Sequence, residues 1–183
     1  MECNRERRSA GCQAYLRGRR ILLNVTGELT SDEQRVLAVA ESVLAALVHE
    51  GRARLAVSPA CGSHGALISI SPVLESACPV TIHCDEPGDL DLYVGRYALT
   101  THLWRGHEWD RGDFGALEDE VRRWLTALVA GRYTEEVRLT RDGKVGSGRG
   151  VVDLPSGPWR FKYSGASTIT KRGPWRSVEY TAY

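Results

Sequence analysis

Cys61-Gly62-Ser63-His64 sets a thiol and an imidazole three positions apart in a glycine-rich turn, and His83-Cys84 sets the same two groups side by side further along. Four such ligands could make a tetrahedral zinc site. Adjacent residues of a strand point to opposite faces, however, so His83 and Cys84 should not share one ion. No metal site is therefore assigned. Cys61 is the better candidate for a nucleophile, because a reactive thiol needs a base within hydrogen-bond reach and a third group to orient that base. His64, His102 or His107 could serve. The segment from His102 to Asp113, HLWRGHEWDRGD, gathers two His, two Trp, two Arg and three acids and could form an acid–base site. Its spacing is not that of a helical metal pair. The plainer account is a connection in which Trp104 and Trp109 pack down while Arg105, Asp110 and the other charges stay in water.

Two further stretches imitate known chemistry. Gly143–Gly150, GKVGSGRG, looks like a phosphate cradle but fits no phosphate-loop pattern, and no helix follows to hold an anion. It reads as a bulged, glycine-rich strand. Asp85-Glu86-Pro87-Gly88-Asp89, with Asp91, lacks the alternation of a calcium loop and reads as a solvated turn. The tetrad GPWR occurs twice, at Gly157–Arg160 and Gly173–Arg176. Strand alternation puts Trp159, Phe161 and Tyr163 on one face and Arg160 and Lys162 on the other, whereas single-strand nucleic-acid binders keep aromatics and cations together. In the second copy Val178, Tyr180 and Ala182 are expected to face the core. The repeat thus reads as two strands entered by the same Gly-Pro device, with Trp175 the residue whose exposure would reverse that view.

These groups need elements to hold them. Thr30 with Glu33 makes a capping box, and Leu37, Ala40, Val43, Leu44, Leu47 and Val48 form an apolar stripe, so a helix is expected over about 31–50. A second, over about 113–130, carries Phe114, Leu117, Val121, Trp124, Leu125 and Leu128. Gly51 and Gly131 stop them. Between the helices, Arg54–Ser58, Ala66–Ser71, Val80–Cys84, Leu90–Val94 and Tyr97–Trp104 read as an antiparallel meander. Arg20–Thr26 reads as an earlier strand. Glu136–Thr140 and Val145–Leu154 flank Asp142-Gly143 as a hairpin with a type I′ turn. Arg160–Tyr163 and Arg176–Ala182 close the set. The expected fold is α+β: about eight to ten short antiparallel strands in one or two sheets, covered by two amphipathic helices.

The 183 residues suffice for one domain, expected over 18–183, preceded by a flexible basic arm at 1–17. Apolar content of 42% and charged content of 26% are globular values. No run approaches the roughly 20 apolar residues of a membrane span, and the basic start lacks a signal-peptide core, so a cytoplasmic location is expected. Five cysteines without framework spacing fit free thiols. A preference for Arg over Lys, with scarce Asn, fits a GC-rich bacterial gene. The net charge of +1 conceals basic ends around an acidic centre. Residues 1–20 hold six Arg against two acids, 21–131 hold eight Arg against sixteen acids, and 132–183 hold ten bases against five acids.

No complete catalytic set emerges. The function expected is that of a non-catalytic bacterial binding or accessory protein, of the immunity or regulatory kind, acting through protein–protein contact or self-association; the neutralising partners of secreted toxins offer an analogy of architecture alone. Its binding residues would come from Trp104, Arg105, Trp109, Asp110, Arg160, Trp175 and Arg176, with an exposed aromatic patch around Trp104 and Trp109. No cofactor is expected. The alternatives are a small enzyme using His102, His107, Cys61 or His64, and nucleic-acid binding through the C-terminal strands.

Overall fold

A computed structural model describes residues 29–60, 65–85, 89–104, 114–141, 143, 145–164 and 173–183. The arm at 1–17 and the strand expected at Arg20–Thr26 lie outside these residues. Helix α1 spans Ser31–His49. Thr30 accepts from the Glu33 N–H, and the Glu33 carboxylate accepts from the Thr30 N–H at 2.6 Å, completing the capping box. Strands β1 (Ala53–Pro59), β2 (Gly65–Pro72), β3 (Val80–Asp85), β4 (Asp89–Val94) and β5 (Leu99–Trp104) follow as an antiparallel meander in chain order. Helix α2 spans Phe114–Val129. Then β6 (Tyr133–Leu139), β7 (Val145–Leu154), β8 (Gly157–Ser164) and β9 (Trp175–Glu179) form a second antiparallel sheet in the order β8-β7-β6-β9. The α+β expectation holds, with two sheets.

Both helices end in the same cap. After α1, the Gly51 N–H bonds to Val48 O and the Arg52 N–H to Leu47 O; after α2, Gly131 bonds to Leu128 O and Arg132 to Ala127 O. This is the Schellman pattern, with each glycine at positive φ. The likeness continues outward. Val73 N–H bonds to Arg52 O, and Asp153 N–H to Arg132 O, so each Gly-Arg pair also locks the end of the next hairpin. A helix followed by Gly is generic in sequence; here the whole helix–cap–hairpin unit occurs twice.

The helices lie side by side, α1 against β1 and β2, α2 against β7 and β5. The inward faces alternate as strands require: Leu55 and Val57, Ile68 and Ile70, Val80 and Ile82, Leu90, Leu92 and Val94 are buried. On α2, Leu117, Val121, Trp124, Leu125 and Leu128 are buried as the stripe predicts. The stripe of α1 is shifted, since Val36 and Val39 are buried while Val48 is exposed.

The glycine run at 143–150 has a packing explanation. Gly146, Gly148 and Gly150 recur with the strand period on the inward face of β7. A Cβ at Gly148 would lie 2.7 Å from Leu99 Cδ2, and one at Gly150 would lie 2.4 Å from Phe161 Cζ. The missing side chains make room for neighbours, not for phosphate. The hairpin turn differs from the type I′ expectation. Gly143 N–H bonds to Thr140 O, so Gly143 closes a turn and takes positive φ at its fourth position. A register shift at Arg138/Leu139 accompanies it. Five residues thus separate the paired Leu139 and Val145, too many for a two-residue turn.

Candidate functional site

Three polar constellations stand out: one buried between the sheets, and one on the open face of each sheet.

The buried one centres on Glu135, whose side chain points inward from β6 and is fully buried. Tyr180 OH donates to its Oε1, the Arg96 N–H donates to the same oxygen at 3.1 Å, and Tyr133 OH donates to Oε2 at 3.3 Å. The Tyr97 N–H is a further donor. Burial pushes the Glu135 carboxyl above its ordinary range, and these four donors oppose that shift only in part. Burial and the carboxylate together push the Tyr133 phenol up, and burial with the Glu135 hydrogen bond does the same to Tyr180. The arrangement fixes the turn between β4 and β5. Gly95 has φ +83° there, and a Cβ on it would come within 2.5 Å of Glu135 Oε2. The tyrosine rings also continue an aromatic row. Trp159 packs edge-on against Trp124, Trp124 tilts against Phe161, and Phe161, Tyr133 and Tyr180 stack at 6.2 and 5.4 Å. Glu135 therefore joins turn, sheet and C-terminal segment as a structural clasp.

On the open face of the five-stranded sheet, one row crosses the strands as Leu67, His83, Asp91 and His102. His102 Nδ1 is hydrogen-bonded to Asp91 Oδ1. His102 is 57% exposed and Asp91 18%. Asp91 is thus a strand residue and not part of the solvated loop that its acidic neighbours imply. A carboxylate on Nδ1 orients an imidazole and leaves Nε2 as the nitrogen that could exchange a proton, the arrangement of an oriented general base. His83 lies on the other side of Asp91, 6.3 Å from the Tyr93 ring. Cys84 points the opposite way, as alternation requires, and burial pushes its thiol up to about 12. Cys78 is buried likewise and its thiol is also raised by burial. Both are core residues. Among the described residues no three His, Cys, Asp or Glu side chains gather as a metal ion would need.

On the open face of the four-stranded sheet, cross-strand rows run Ser147–Arg138–Trp175, Lys162–Arg149–Glu136–Ser177 and Arg160–Val151–Thr134–Glu179. Trp175 is 39% exposed. The guanidinium carbons of Arg138 and Arg149 lie 4.7 and 4.9 Å from its ring centroid. Arg149 is also ion-paired with Glu136. Two buried polar atoms in the row of Trp175, Arg138 Nε and Ser147 Oγ, have no hydrogen-bond partner.

The two GPWR tetrads therefore enter opposite faces. In β8, Trp159 lies on the inward side with Phe161 and Arg160 faces out; in β9, Trp175 faces out and Arg176 lies on the inward side at the sheet edge. Trp159 remains 47% exposed despite its contact with Trp124. The inward set after the second tetrad is Val178, Tyr180 and Tyr183; Ala182, expected inward, is exposed.

Of the expected site residues, Trp175 and Arg160 share one face, Arg176 is on the other side of β9, and His102 is on the other sheet. Trp104 ends β5, paired with Leu90. Cys61, His64, Arg105, His107, Trp109 and Asp110 lie outside the described residues. Sequence reasoning missed Arg138, Arg149 and Glu136, whose relation to Trp175 arises only because β9 returns beside β6. It missed Asp91 as the partner of His102, for which the alignment of two neighbouring strands was the available signal. No protein-family model, curated protein or solved structure matches the chain.

Proposed function

We propose that the chain is a non-catalytic binding protein of bacterial origin, acting in the cytoplasm through protein–protein contact, and that the open face of the four-stranded sheet is its docking surface. The observation that carries this is Trp175, exposed on that face with two guanidinium groups lying over its ring. Trp and Arg dominate the energetics of protein interfaces, because each combines large contact area with a directed polar contact. A Trp held in place before binding loses little freedom on docking. The role is that of a regulatory or neutralising partner. Affinity capture from the encoding cells, with the wild type, Trp175→Ala and His102→Ala side by side, tests it. The proposal expects a partner protein that is retained by the wild type and His102→Ala and lost with Trp175→Ala. Capture that survives Trp175→Ala and fails with His102→Ala contradicts it.

One observation favours a second reading. The Asp91–His102 pair has the form of an oriented base, so a small enzyme built on that face is the alternative. It requires a reacting group within hydrogen-bond reach of His102 Nε2.

A further inference from the structure

We propose that the partner presents carboxylate side chains, an acidic protein segment that docks on the corner formed by Arg149, Arg160 and Lys162 beside Trp175. This rests on the open face being a protein-docking surface and specifies the chemistry of what docks. Arg149 stands directly opposite Lys162 on the neighbouring strand, and Arg160 lies two residues from Lys162 on the same face of β8. Like charges directly opposite one another weaken a sheet. Folding gains nothing from this placement, and a local conflict of that kind marks a surface selected for something else. Glu136 answers Arg149. Among the described residues, no carboxylate is ion-paired with Arg160 or Lys162. An incoming carboxylate would relieve the repulsion and take hydrogen bonds from the guanidinium groups of Arg160 and of Arg149, the latter already lying over the Trp175 ring.

The same face argues against nucleic acid. Glu136, Glu179 and Asp153 share it with the four cations Arg138, Arg149, Arg160 and Lys162, so a phosphate backbone crossing the full width of the face would meet three carboxylates, whereas a short acidic segment confined to the corner faces Glu136, which Arg149 already pairs. Guanidinium groups also occupy the Trp175 ring where a base would stack. A second copy of this chain would have to offer a different, acidic surface to the Arg149–Arg160–Lys162 corner, a head-to-tail contact that builds rings or filaments and so shows as self-association.

The test uses the full chain with two fluorescent probes of matched charge, an oligoglutamate and an oligothymidylate, followed by anisotropy at about 50 and about 200 mM salt. The oligoglutamate is expected to bind, more weakly at the higher salt. Lys162→Glu should lower its affinity about tenfold. The same substitution should raise the melting temperature by roughly 1–3 °C, because Arg149 then faces an opposite charge. This keeps loss of binding distinct from loss of fold. Oligothymidylate binding as tightly as oligoglutamate, no oligoglutamate binding, or an affinity indifferent to Lys162→Glu would each overturn the proposal. Self-association that Lys162→Glu abolishes would also overturn it, by putting a second copy on the face. If Trp175-dependent capture succeeds while oligoglutamate fails, the docking face stands and the acidic partner falls.

Discussion

Replacing Glu135 with Gln should flatten part of the pH dependence of stability. All four groups around the carboxyl are donors: Tyr180 OH, Tyr133 OH and the N–H groups of Arg96 and Tyr97. Burial nevertheless dominates and raises the folded-state pKa. A carboxyl whose pKa is higher folded than unfolded binds its proton more tightly in the native state. Its contribution to stability is therefore fully present below the unfolded carboxylate range and is lost as pH rises through the folded value, the reverse of a salt-bridged acid. One proton limits the slope to about 1.4 kcal/mol per pH unit. For a chain of this size that corresponds to roughly 3–5 °C per unit at the steepest point. Gln has nearly the same shape, and its amide can donate to Tyr133 O as a protonated carboxyl would, but it does not titrate. Urea unfolding of both proteins between mildly acidic and mildly alkaline pH gives the difference directly. The wild type should lose stability relative to Glu135→Gln as pH rises, and above the folded pKa the gap should stop growing. Tyr180→Phe removes a donor that favours the charged form, so it should move the window to higher pH. Parallel curves, or a wild type that gains on the variant with rising pH, would refute the account of the clasp.

Two other outcomes follow from packing and burial. Gly148→Ala should destabilise by about 1–3 kcal/mol in denaturant unfolding, because its methyl would overlap Leu99; an unchanged midpoint would mean that β5 and β7 do not meet as described. Cys84, with its thiol pushed up to about 12, should resist iodoacetamide in the native protein near neutral pH and react only on unfolding, as mass spectrometry of the modified peptide would show; labelling of the folded chain would contradict its burial.

Local signals placed most of the architecture. Thr30 and Glu33 set the start of α1, Gly51 and Gly131 set the ends of both helices, and alternation of apolar residues set the faces of β1 to β5. What depended on strand order was not legible. Tyr97 belongs to a turn and not to β5, because the Glu135 clasp holds residues 95–98 in place and Ala98 takes a positive φ of 48°. The sorting of aromatics from cations holds within β8, where Phe161 is buried and Lys162 exposed. It fails for the sheet as a whole, since β9 brings Trp175 onto the cation face from 13 residues beyond Lys162. The Asp91–His102 pair is hidden for the same reason: its members sit on neighbouring strands, offset by a register shift at Leu90/Asp91.

Hydrogen exchange of the chain, free and in its captured complex, locates the docking face. Docking on the open face of the four-stranded sheet predicts slowed exchange in 145–162 and 175–179, centred on the strands that carry Arg149, Lys162 and Trp175, with β4 and β5 unchanged. Slowed exchange confined to 89–104, around Asp91 and His102, would contradict it and move function to the other sheet.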